Sequence, residues 1–127
     1  MEGKKRQELV ETYIERYNNF DIEGMLSCLS ESVLFENETA GEVDARTEGR
    51  SQFKELAEQS AQLFSARKQT ITSFENVEEK LVAHIAYRAV LASDLPNGLK
   101  AGETIELTGK SEFEFTGDKI SRIKDII

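Results

Sequence analysis

Asp125, Tyr13, Asn37 and Ser111 are the side chains of this sequence whose types and positions could do chemistry. In the C-terminal segment Arg122 and Lys124 alternate with Ser121, Ile123, Asp125 and Ile127, so strand periodicity sets a carboxylate on an apolar face. Burial penalises the charged form of a carboxyl, raises its pKa and makes it a better proton acceptor. The alternatives are pairing with a lysine or arginine, or a place in a fraying end. Ser111 is the polar member of another apolar face, made of Ile105, Leu107, Gly109, Phe113 and Phe115. Asn37 shares a strand face with Val33 and Phe35, and either orients a ligand or satisfies Ser111. Tyr13 lies on a helical apolar stripe, where its hydroxyl either donates to a ligand oxygen or sits at the edge of the core. His84 and Arg88 share one strand face and suit either an anionic ligand or a surface or interface. Cys28, beside a buried stripe, reads as small core filler.

Composition narrows the partners. Sixteen Lys and Arg against 24 Asp and Glu give a net charge of −8, which argues against nucleic acid or an anionic membrane as main partner. One Cys and one His cannot build the usual structural zinc site, and no metal is expected. No apolar run approaches the ~20 residues of a membrane span. The charged start, Met1 to Arg6, lacks a signal-peptide core, so the cytoplasm is the expected location. At 127 residues the chain is expected to form one domain over residues 1–127.

These groups need elements to hold them. Leu9, Val10, Tyr13, Ile14 and Tyr17 form a helical stripe, and Asp21 suits the N-cap of a second helix bearing Ile22, Met25, Leu26 and Leu29. Residues 33–38 read as a short strand and residues 39–50 as a loop. Ser51 suits the cap of a third helix carrying Phe53, Leu56, Ala57, Ser60 and Phe64. Strands are then predicted over 67–76, 80–92, 103–116 and 119–127, with turns at Glu78-Glu79 and Gly117-Asp118 and a loop around Pro96. Helices followed by a strand meander make an α+β fold. Strands this long must bend, and Gly109 is the expected kink or bulge. The predicted architecture is a cone: N-terminal helices on a curved, mainly antiparallel sheet, around an apolar pocket. Its expected lining includes Phe35, Ile105, Leu107, Phe113, Phe115 and Ile123. In the strand over 80–92, Leu81, Ala83, Ile85, Tyr87, Ala89 and Leu91 make the more apolar face. The opposite face, with His84 and Arg88, is partly apolar and suits cover by a second subunit.

The run from Tyr13 to Met25, continued by Leu29 to Asn37, resembles the opening of the nuclear transport factor 2-like superfamily, which includes ketosteroid isomerase and the SnoaL-like polyketide cyclases. Gly49-Arg50 before the third helix and Gly117 to Ile120 before the last strand fit the same pattern, so the resemblance spans nearly the whole chain. It implies a cone-shaped, usually dimeric fold with a pocket between sheet and helices. Carried over residue by residue, Tyr13 falls on the isomerases' oxyanion-binding tyrosine, Asn37 on their general base and Ser111 on their protonated aspartate. A carboxamide does not serve as a base near neutral pH, which argues against ketosteroid isomerisation by that route. Asp125 falls where SnoaL-like cyclases carry an acidic base, although Lys124 and Ile123 replace the neighbours common there.

The expected function is therefore a pocket for a small apolar molecule, in a homodimer. It is either a cofactor-free isomerase, cyclase or hydrolase-like enzyme, or a non-catalytic binding or association module. The candidate catalytic residues are Asp125 and Tyr13. The candidate ligand-binding residues are Asn37, Ser111, Phe35, Phe113, Ile123, His84 and Arg88.

Overall fold

The computed structural model describes residues 3–127. The order of elements is α1 (Gly3–Asn18), α2 (Ile22–Ser27), β1 (Leu29–Thr39), β2 (Glu42–Glu48), α3 (Arg50–Ala61), β3 (Phe64–Val77), β4 (Lys80–Leu91), β5 (Thr104–Thr116) and β6 (Lys119–Ile126). The strands form one sheet in the order β2-β1-β6-β5-β4-β3. Every neighbouring pair is antiparallel except β1 with β6. The helices pack on the sheet, as expected for the α+β class.

The apolar stripe of α1 buries Val10, Tyr13 and Ile14. The helix stops at two asparagines, and Phe20 adopts a positive φ of 58° to turn the chain. Asp21 then caps α2, its carboxylate accepting from Gly24 N at 2.9 Å. Asn18 ties the end of α1 to β3 by donating to Gln69 O (3.0 Å) and accepting from Gln69 N (2.7 Å). The core joins these helices to Phe53 of α3 and to Leu81, Phe113, Ile120 and Ile123 of the sheet.

Several local expectations are corrected. Residues 39–50 are not all loop, because β2 pairs with β1 from Thr39↔Glu42 to Leu34↔Glu48. This edge strand buries only Thr47, so apolar alternation could not reveal it. Gly49, at φ 85°, precedes α3 in place of Ser51, which lies inside the helix. Leu29 and Phe64 belong to strands rather than to the helices before them.

Gly109 pairs with Ile85 in an unbroken ladder, so no bulge falls there. A Cβ at Gly109 would lie 2.5 Å from the Ile126 carbonyl oxygen, so close backbone approach explains this glycine. The register shifts fall between Leu29 and Leu34, Asn37 and Glu38, Phe64 and Ala66, Ile71 and Ser73, and Glu114 and Phe115. Such shifts increase local bend and twist. The last one skips Ser121, so Ile120 takes the inner position expected of Ser121 and is fully buried.

Candidate active site

Strand register assembles the site. Asn37 lies beside Asp125, Asp125 beside Ser111, and Ser111 beside Ala83, in one row across the inner face of β1, β6, β5 and β4. The row two residues deeper is Phe35, Ile123, Phe113 and Leu81, and all four are buried. Asp125 therefore stands directly above a sealed core. On its other side Gly109 faces Ile85, and then Leu107 faces Tyr87. A space opens there between the sheet and the helices.

That space is a cavity of about 490 Å³ lined by sheet residues and by Tyr17, Leu56, Ser60 and Phe64 from the helical side. Of the expected site residues, Asp125, Ser111, Asn37 and Phe35 line it, with Ile105 and Leu107 from the wider apolar set. Phe113 and Ile123 lie beneath it in the core, with no exposed surface. His84 and Arg88 lie on the opposite face of the sheet, against Glu75 (3.1 Å) and Glu106 (3.4 Å). They do not join this cavity.

Asp125 as a residue is partly exposed. Its carboxyl is enclosed, and desolvation pushes its pKa up to about 6, opposed by the Ser111 hydroxyl, which donates to Oδ1 at 2.6 Å. The adjacent cations point to the other face. Arg122 pairs there with Glu36 (2.7 Å) and Glu114 (3.3 Å), and Lys124 with Glu38 (3.3 Å). Salt bridging to its strand neighbours is thus no explanation for Asp125. Nor is it on a loose end, since Ile127 N donates to Glu38 O at 2.9 Å and Ile127 O accepts from Ala40 N at 3.3 Å.

Tyr13 is 5% exposed and packs edge-on against Phe113, with ring centroids 6.1 Å apart. Burial and, second, the Asp125 charge push its hydroxyl well above the usual tyrosine range. The tyrosine of α1 that reaches the cavity is Tyr17, one turn further along the same stripe, and Tyr87 of β4 lines it too. The Tyr17 hydroxyl shares a 3.0 Å hydrogen bond with that of Tyr87. Burial raises both pKa values, and the Asp125 charge raises them further.

Arg67 holds Tyr17 in place. Its guanidinium lies 3.7 Å from the Tyr17 ring centre and 4.3 Å from that of Phe20, and Nε donates to Tyr17 O at 3.0 Å. Helical spacing and strand alternation contained the signal for Tyr17 and Tyr87. Arg67 gave none, because a lone arginine in an alternating strand looks like a surface residue.

Among the described residues, no three His, Cys, Asp or Glu side chains stand close enough to hold a metal ion. None of the described helices is long and apolar enough to cross a membrane.

A mainly antiparallel sheet and its helices, enclosing a cavity with one desolvated carboxylate, define an α+β pocket fold. The chain belongs to the SnoaL-like domain family, whose profile matches residues 10–123. No curated protein sequence matches it. Its fold is similar to that of a proposed polyketide cyclase from Xanthomonas campestris pv. campestris, with a TM-score of 0.82 at 20% identity over 98% of this chain and 90% of that one. It is also similar to AclR, a proposed hydroxylase from Streptomyces galilaeus (TM-score 0.78, 15% identity, 99% and 90% covered). A third likeness is to a Catenulispora acidiphila protein of ketosteroid isomerase-like fold in complex with trimethylamine (0.76, 13%, 93% and 83%). At these identities the likeness is one of fold. It agrees with the superfamily expected from the sequence.

Proposed function

We propose that this protein binds a small apolar molecule in the cavity and that Asp125 moves a proton on it, as in a cofactor-free isomerase or cyclase. The observation that carries this is the Asp125 carboxyl in a ligand-sized apolar cavity with Ser111 as its hydrogen-bond partner, where burial pushes its pKa up to about 6. A base of that pKa is mostly ionised at neutral pH and is about a hundredfold stronger than an ordinary carboxylate. It takes a proton from a carbon beside a carbonyl, and the electron pair moves onto the carbonyl oxygen.

The group proposed to hold that oxygen is not the Tyr13 that the resemblance implies. Ser111 already donates to Asp125, the Asn37 amide donates to Asp44 at 2.8 Å, and Tyr13 is not among the lining residues. The Tyr17–Tyr87 hydroxyl pair has one proton beyond their shared bond and faces the same cavity. Relatives of this fold described as proposed polyketide cyclases support the reaction class.

Exchange of the α-protons of 2-tetralone for deuterium, followed by proton NMR, tests this. Wild-type protein should accelerate exchange and Asp125→Asn should not. Equal rates would remove Asp125 from the chemistry, and saturable binding without exchange would make this a binding protein.

We further propose that residues 1–127 act as one domain, a reading their number supports, and that the protein works in the cytoplasm. A homodimer covers the outer groove of about 640 Å³ over β3, β4 and β5, where Arg88 lies among Ala86, Val90 and Thr108. Sedimentation equilibrium tests this, with Ala86→Glu expected to give monomers.

A further inference from the structure

A rim residue determines what Asn37 can offer a ligand. Asp44 reaches over from β2, and its Oδ1 accepts from Asn37 Nδ2 at 2.8 Å while its Oδ2 accepts from Thr39 Oγ1 at 3.0 Å. Nδ2 also donates to Thr39 Oγ1 at 3.2 Å. The hydrogen bonds from Asn37 and Thr39 hold the Asp44 carboxyl below its usual pKa, so at neutral pH it is ionised and can only accept.

An acceptor-only neighbour decides the orientation of the amide. The NH₂ must face Asp44 and Thr39, both its N–H groups are engaged, and the carbonyl Oδ1 is the atom left for the cavity. Asn37 is the parallel-register neighbour of Asp125, and both line the cavity. Ser111 engages Asp125 Oδ1, which leaves Oδ2 for a ligand. Two acceptor oxygens are therefore presented side by side. An ether or ester oxygen placed against them would leave them unpaired, whereas a hydroxyl or ammonium would satisfy them.

We propose that Asp44 is a positioning residue that fixes Asn37 as an acceptor, so that the cavity selects ligands presenting a hydrogen-bond donor to the Asn37–Asp125 pair. This deepens the proposed function and rests on the same cavity, but does not require Asp125 to do catalysis. The donor is a neutral hydroxyl or a protonated amine.

Three probes with one ring system test it by calorimetry: 2-naphthol, 2-naphthylmethylamine and 2-methoxynaphthalene. Wild-type protein should bind at least one donor probe roughly tenfold more tightly than the methoxy compound. Whether the alcohol or the amine is preferred identifies the donor's source. In Asp44→Ala the amide is free to turn and the preference should fall toward one. Asp44→Asn keeps an acceptor and should restore much of it.

The Asn37 side-chain amide signals provide an independent readout. They should move to free-amide positions in Asp44→Ala while the backbone spectrum is retained, since Asp44 is exposed. Equal binding of donor and methoxy probes to wild type, or a preference that survives Asp44→Ala, overturns this proposal alone. Failure of all three probes to bind wild type overturns the pocket as well.

Discussion

Replacing Asp125 by asparagine should make the protein more stable at alkaline pH. The folded-state pKa of Asp125 is raised from 3.8 to about 6, with desolvation as the main cause. For an acid raised in this way, the folded state holds its proton more tightly than the unfolded chain does. The associated stability is fully present below the unfolded value and is lost as pH rises through the folded value. A separation of about two pH units corresponds to about 3 kcal/mol of stability lost between pH 4 and pH 8. The substituted carboxamide would keep an acceptor for Ser111 and never carries the charge. Wild type and Asp125→Asn should therefore have similar unfolding free energies at pH 4, with the variant ahead by about 3 kcal/mol at pH 8. Glu36 and Asp44, whose pKa values are lowered, act in the opposite sense and cancel in the difference. With no tryptophan in the chain, urea unfolding followed by circular dichroism is the suitable assay. A variant no more stable than wild type at pH 8, or a gap that does not widen with pH, would refute the claim that Asp125 is held as a desolvated carboxyl.

Three further perturbations probe the scaffold around it. Ser111→Ala removes the hydrogen bond that favours the Asp125 carboxylate and should raise its pKa by about one pH unit, as read from its carboxyl carbon by NMR. A fall or no change would count against that bond. Gly109→Ala places a methyl 2.5 Å from the Ile126 carbonyl oxygen and should cost about 1–3 kcal/mol in urea unfolding. Unchanged stability would mean that the strands part without strain. Asp21→Ala removes the cap of α2 and should cost about 1 kcal/mol by the same measurement, whereas a cost near zero would show that the 2.9 Å bond to Gly24 N adds little.

The parts of this protein that were legible in its sequence are those where burial imposes a period. The stripe of α1 and the alternation of β4, β5 and β6 have buried faces, and the alternation set Asp125 and Ser111 on inner faces, where they pair across β6 and β5. β2 was hidden because an edge strand held by backbone pairing needs no apolar pattern, and Asp44 was hidden with it. The skipped residue Ser121 shows a second limit, since one bulge shifts every face on one side of it. Depth was the third. Alternation puts Phe113, Ile123 and Asp125 on inner faces, but only register across strands separates the sealed row from the row that lines the cavity. Tyr13 took its expected role from the resemblance; it is buried in the core, and Tyr17, one turn further on, lines the cavity.

The pH dependence of kcat/KM for deuterium exchange into 2-tetralone tests the central claim most directly, because it reports the ionisation of the free protein's base. The rate should rise through a single ionisation at about pH 6, level off above it, and shift to higher pH in Ser111→Ala. A flat profile, or a midpoint that Ser111→Ala leaves in place, would contradict proton transfer by Asp125.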